Sequence, residues 1–206
     1  MSVVSHPRSL SEGTARVEQA SRLLPAVFDG VDPKHGVTAL EFGPAVPETI
    51  AFFGQFKCRV HVANLFENEA IRTQQAELDE AALKEAFRAH FNFPRGTLLD
   101  VCLFWDFLNY LRPATLRALS AALQPYLHAG TCGHGFSVLS VETPLNNREY
   151  GVLRPDVICN RPARMPQMDY FPHTHEGLDR GLPAFKIQKG WLLSDGRLEM
   201  LFQARI

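Results

Sequence analysis

Thr38-Ala39-Leu40-Glu41-Phe42-Gly43-Pro44-Ala45-Val46-Pro47-Glu48-Thr49-Ile50 decides the fold of this 206-residue chain. A short apolar run ends in an acidic residue, turns through Gly43 and Pro44, and enters a segment whose Pro47 suits the first turn of a helix, where its missing N–H needs no partner. The spacing predicts a strand over residues 37–42 and a helix over 47–53. A strand feeding a helix through a glycine turn opens many α/β sheets that hold a nucleotide-like ligand, because the helix N-terminus and a close backbone approach leave room for one. Glu41-Phe42-Gly43 stands where such a sheet makes its first ligand contact.

Outward from this stretch, Asp29-Gly30-Val31-Asp32-Pro33 has turn chemistry. Before it, Ser9-Leu10-Ser11-Glu12 has capping-box spacing, followed by Val17, Ala20, Leu23 and Leu24 at helical intervals. These predict a covering helix over residues 10–25, so residues 1–30 form an N-terminal tail and covering helix and 31–206 the main α/β domain. Downstream, Phe56 to Ala63 predicts a second strand. Asp79 caps a helix carrying Leu83, Phe87 and Phe91 on one face. The continuous apolar run Thr97 to Phe104 predicts a strand buried on both faces. No third strand is evident between these two. Pro113 opens a helix with Leu116, Leu119, Leu123 and Leu127 in phase, ended by Ala129-Gly130, and a strand is expected over 135–141. Residues 142–173 are broken by five prolines and carry Arg148, Arg154, Arg161 and Arg164. A short helix is expected near 173–180. At the end, Phe185, Ile187 and Trp191 alternate, as do Leu198, Met200, Phe202 and Ala204, around the turn Ser194-Asp195-Gly196, which predicts an antiparallel hairpin.

Glu41-Phe42-Gly43 resembles the first motif of class I S-adenosylmethionine-dependent methyltransferases, an acidic residue, one apolar residue, then Gly-x-Gly-x-Gly. Trp105-Asp106-Phe107-Leu108-Asn109-Tyr110-Leu111-Arg112-Pro113 resembles their fourth motif. The resemblance covers residues 37 to 206 and implies a Rossmann-like fold: a mostly parallel sheet, helices on both faces and a C-terminal antiparallel β-hairpin. It implies S-adenosylmethionine as cofactor over Glu41, Gly43, Ala45 and Asn64, with Trp105 and Asp106 lining its other side and Asn109, Tyr110, Arg148 and Arg154 facing the substrate. Ala45 and Pro47 replace the second and third glycines. Asn64 stands where an acid would grip the ribose hydroxyls with charge. Each residue also has a plainer role. Glu41 can cap the following helix, Trp105 and Tyr110 can be core, Asp106 can cap a turn, and the arginines can be solvated loop charges.

Composition narrows the classes. With 46% hydrophobic and 21% charged residues and a formal net charge of -1, the chain is globular, with no whole-chain bias toward nucleic acid or an anionic membrane. No apolar run approaches the roughly 20 residues of a bilayer span, and the first ten residues lack a secretory signal, so a cytoplasmic location is expected. Cys58, Cys102, Cys132 and Cys159 are widely spaced and expected as reduced thiols. His173 and His175 lack a third ligand at suitable spacing, so no metal is expected. Two functional readings remain. The loss of two glycines and the ribose acid favours a methyltransferase-like pseudoenzyme with a degenerate site, binding or scaffolding a protein or small-molecule partner, with a homodimer among its assemblies. The alternative is an active methyltransferase on a small molecule or protein side chain, which needs no dedicated nucleophile because alignment supplies much of the rate.

Overall fold

The structure is a computed structural model that describes residues 16–29, 31, 36–163 and 168–206. Its centre is a six-stranded sheet, from edge to edge β3 (Cys58–Val62), β2 (Val37–Glu41), β4 (Leu99–Trp105), β5 (Leu127–Ser137), β9 (Leu198–Ala204) and β8 (Phe185–Leu192). The first four are parallel, while β9 runs antiparallel to β5, and β8 to β9. Short crossovers on this pattern need helices on the faces. Helices α4 (Glu80–Phe91), α5 (Pro113–Leu123) and α6 (His175–Gly181) enclose one core around Phe42, Phe87, Phe104, Leu119 and Phe202. Between β3 and α4 lies the single turn α3 (Glu69–Arg72). The opposite core, around Val101, Leu103, Trp105 and Phe136, also contains Leu24 and Val27 of α1 (Leu24–Phe28) and Phe52 and Phe53 of α2 (Pro47–Phe53).

The sheet order and the terminal hairpin match the expected class. Asp79 caps α4 by accepting from Ala82 N at 2.8 Å. Among the described residues no strand lies between β3 and β4.

Three expectations are overturned. Residues 142–173 are not irregular throughout: β6 (Arg148–Arg154) and β7 (Val157–Pro162) form a hairpin. Nor is the described part of residues 10–25 a covering helix. Val17–Ala20 is strand β1, pairing antiparallel with β7 from Val17 opposite Asn160 to Ala20 opposite Val157. Unpaired backbone groups along β7 reward an extended partner more than the local helical spacing rewards a helix. The capping box at residues 9–12 lies outside the described residues. Finally, α5 stops at Leu123, and Pro125 lies in a 3-10 turn that leads straight into an eleven-residue β5. Gly133 and Gly135, which obscure that strand in sequence, are required by close packing. A Cβ at Gly133 would stand 2.6 Å from Phe104 Cε2, and one at Gly135 would stand 2.9 Å from the Trp105 carbonyl.

Candidate functional site

Sheets of this kind hold ligands beyond the carboxyl ends of their parallel strands. There β2 ends at Glu41, β3 gives way to Asn64 and β4 ends at Trp105. Gly43 is a close-approach position and has no positive φ. A Cβ there would meet Glu41 Oε1 at 3.2 Å and Trp105 Cδ1 at 3.6 Å. The tightest neighbour is thus the Glu41 carboxyl oxygen, with the chain's own indole in ordinary van der Waals contact behind it.

Trp105 reaches that position through an unusual backbone, with φ at 49°. A left-handed aromatic residue costs roughly 1–3 kcal/mol and persists only where its surroundings hold it. Here its Nε1 donates to Glu41 Oε1 at 2.5 Å, and the same oxygen accepts from Gly43 N at 2.8 Å. The ring stacks on Tyr150 at 5.3 Å and 12°, and meets the His134 edge at 5.9 Å. Glu41 is 1% exposed and Trp105 likewise. Burial pushes the Glu41 carboxyl up to about 8, against the opposing hydrogen bonds from Gly43 and Trp105. Its other oxygen, Oε2, is buried without a partner.

Asp106 follows. Tyr150 Oη donates to its Oδ2 at 3.3 Å, Oδ1 is buried and unpartnered, and burial pushes the carboxyl up to about 7. Arg197 Nη1 donates to Tyr150 Oη at 2.9 Å, which joins the terminal hairpin to this row. Tyr150 and Arg197 were not picked out from the sequence. Alternation of Tyr150 and Val152, then Pro155-Asp156 and the β-branched Val157-Ile158, was the available signal for the hairpin that delivers Tyr150.

The remaining sequence candidates scatter. Ala45 is exposed beside α2. Asn64 takes a left-handed conformation with φ at 43°, natural for Asn, and its Oδ1 is buried and unpartnered. Asn109 faces no substrate. It is fully buried, donates to the carbonyls of Asp106 and Phe136 at 2.8 Å each, and accepts from Val138 N at 2.9 Å. All three bonds go to backbone, so it locks the turn after β4 to the end of β5. Tyr110 is core, packed edge-on against Phe66 at 5.4 Å, with its hydroxyl unpartnered. Arg148 and Arg154 stand at opposite ends of β6, and Arg154 is an exposed partner of Asp156 at 3.5 Å. Arg161 pairs with Glu48 at the start of α2 at 2.5 Å. Arg164 lies outside the described residues.

Three cavities among the described residues lie elsewhere. A cavity of about 530 Å³ opens at the amino ends of the strands, lined by Thr38, Arg59, Arg95, Asp100 and His128. Another of about 390 Å³ lies by Val141 and Met168 to Phe171, and one of about 80 Å³ by Arg148, Tyr150 and Arg197. None of the three is lined by Glu41, Gly43, Asn64, Trp105 or Asp106. All four cysteines are free thiols. Among the described residues no group of three His, Cys, Asp or Glu can hold a metal ion, and no helix is long and apolar enough to cross a membrane.

No family model matches the chain, and no curated protein matches it. Among solved structures, a methyltransferase candidate from Thermobifida fusca YX is similar at 12% identity and a TM-score of 0.50, over 89% of this chain and 79% of that one. This chain has the class I methyltransferase fold. Two further structures resemble the methyltransferase-like chain more loosely. The sugar N-methyltransferase KedS8 from Streptoalloteichus sp. has 14% identity and a TM-score of 0.46, over 89% of this chain and 85% of that one. An S-adenosylmethionine-dependent methyltransferase from Clostridium acetobutylicum has 13% identity and a TM-score of 0.47, over 82% and 83%.

Proposed function

We propose that this methyltransferase-like chain is a pseudoenzyme, a binding or scaffolding module whose cofactor seat is shut by its own Trp105. The observation that carries the reading is the indole held against Gly43 and bonded to the Glu41 carboxylate. S-adenosylmethionine fits these residues poorly. None of the three cavities described above is lined by the seat, Pro47 removes a backbone donor at the start of α2, and Ala63 and Asn64, rather than an acid, directly follow β3 where the ribose hydroxyls would sit.

One observation favours the alternative, an active methyltransferase. Glu41 Oε2, Asn64 Oδ1 and Asp106 Oδ1 are all buried without partners near the carboxyl ends of three adjacent strands. Buried polar atoms are ordinarily paired, and a polar ligand admitted by a displaced Trp105 would satisfy them. Calorimetric titration of the folded chain with S-adenosylmethionine and with S-adenosylhomocysteine separates the two. The pseudoenzyme reading expects a flat trace for both up to about a millimolar, the weak limit near -4 kcal/mol. Saturation at micromolar ligand overturns it and restores the enzyme.

A further inference from the structure

Between the β5–β6 connection and the terminal hairpin lies a small enclosed cavity of about 80 Å³, walled by Leu145, Asn146, Arg148, Tyr150, Asp195 and Arg197. At roughly 10–15 Å³ per water it has room for a handful of small polar atoms. We propose that it is a binding site for a small monocarboxylic acid, held by the guanidinium of Arg148.

Charge and geometry carry the assignment. Arg197 is 6% exposed and its donors are spoken for. Nε and Nη2 reach Asp195 Oδ2 at 2.9 and 2.8 Å, Nη2 also reaches Gln19 Oε1 at 3.0 Å, and Nη1 reaches Tyr150 Oη at 2.9 Å. Asp195 therefore offsets Arg197. The Tyr150 hydroxyl is also fully used, donating to Asp106 while accepting from Arg197. Arg148 differs. One of its nitrogens donates to the neutral Asn160 Oδ1, and among the described residues no carboxylate lies within ion-pair distance of it. Its strand neighbour Glu149 is engaged by Arg161 at 3.7 Å. The lining thus holds two cations and one anion. Asp106, the other nearby carboxyl, feels both guanidinium charges, but burial pushes it up to about 7, it is bonded to Tyr150 and it does not line the cavity.

Asp195 is shared between Arg197 and, at longer range, Arg148, so an enclosed lining with one more cation than anions favours one added negative charge. The planar fork matches the two oxygens of a carboxylate, and the Leu145 side chain, 2% exposed, offers a wall for a short apolar stem. A phosphate dianion would bring a charge that nothing in the lining offsets. The cavity shares Tyr150 with the row beside the cofactor seat, but Glu41, Gly43, Asn64, Trp105 and Asp106 do not line it, so the proposal does not require that seat to bind S-adenosylmethionine.

The test is an amide chemical-shift titration of the full chain with sodium acetate, holding ionic strength constant with sodium chloride. Saturable shifts at residues 145–150 and 195–197 in the millimolar range are expected. Arg148→Ala should abolish saturation. Arg148→Lys, which keeps the charge but loses the fork, should weaken it by at least about tenfold. Arg154→Ala, at the exposed far end of the same strand, should bind as the unmodified chain does. Shifts that follow chloride as closely as acetate overturn the proposal, as does unchanged binding by Arg148→Ala with its fold confirmed by circular dichroism. Tighter binding of inorganic phosphate than of acetate overturns the monocarboxylate assignment.

Discussion

The two ends of the same strands are built oppositely. At the carboxyl ends of β2 and β4, Glu41, Gly43 and Trp105 are packed together, and one carboxylate oxygen takes two hydrogen bonds in a dry environment. At the amino ends, Thr38 and Asp100 line an open basin. Asp100 accepts from Thr38 N at 2.7 Å and pairs with His128 at 3.1 Å, both side chains about one-third exposed. Arg59 and Arg95 face solvent beside them. The fold class places ligands at the closed end, whereas the open end is where such sheets ordinarily carry none. In the proposed reading that end is shut by side chains, above all one indole, while the sheet order is that of the fold class.

That contrast can be broken at its strongest point. Trp105→Ala should cost about 3–5 kcal/mol, the range for truncating a buried large aromatic, measured by chemical denaturation. If the folded variant then takes up S-adenosylmethionine while the unmodified chain does not, the indole alone shuts the seat. A loss below about 1 kcal/mol would show that the ring is not held as described.

The next effect is in pH. Glu41 and Asp106 are held above their ordinary values, to about 8 and about 7, by burial. The folded state therefore binds their protons more tightly than the unfolded one. Their contribution is full below about pH 4 and declines as pH rises through 7 and 8, by no more than about 1.4 kcal/mol per pH unit for each. Glu199 has the opposite sign. Hydrogen bonds from His134 and Ser21 outweigh burial and hold it at about 2, so its contribution is present above about pH 4.5 and is lost as pH falls toward 2. Glu41→Gln should flatten the decline between pH 5 and 8 and leave the acid limb unchanged. Denaturation midpoints that keep the same alkaline slope in this variant would contradict the buried carboxyl.

Smaller still, Tyr150→Phe should cost about 1–2 kcal/mol, because Asp106 Oδ2 loses its donor and Arg197 loses an acceptor inside the protein. At the open end, His128→Ala should cost under about 1 kcal/mol, since its partner Asp100 remains solvated and keeps the Thr38 amide. A cost for His128→Ala as large as that for Trp105→Ala would erase the distinction between the two ends.

Much of the architecture was legible in residue order. The Thr38–Ile50 stretch announced β2, its turn and α2. The alternation after Phe185 announced the terminal hairpin, and the apolar run at Thr97–Phe104 announced β4 to within one or two residues. These are local patterns of period 2 or 3.6 with strong turn chemistry at their ends, and such patterns survive packing. The motif positions at Glu41, Gly43, Trp105 and Asp106 were legible too, but only as places in the chain.

What the side chains do there was a tertiary decision. Nothing near Trp105 in sequence says that its φ turns positive and lays the indole over Gly43, because the partners that hold it, Glu41, Tyr150 and His134, come from three other strands. Val17–Ala20 became a strand for the same kind of reason, a long-range edge outweighing a local helical rhythm. Asn109 looked like a substrate contact until the carbonyl of Phe136 and the amide of Val138 came within reach. Sequence by itself set β2, α2, α4, β4 and the terminal hairpin, since each of those patterns is local. Whether the seat stands open or shut depends on contacts between residues distant in the chain, and only the folded packing creates them.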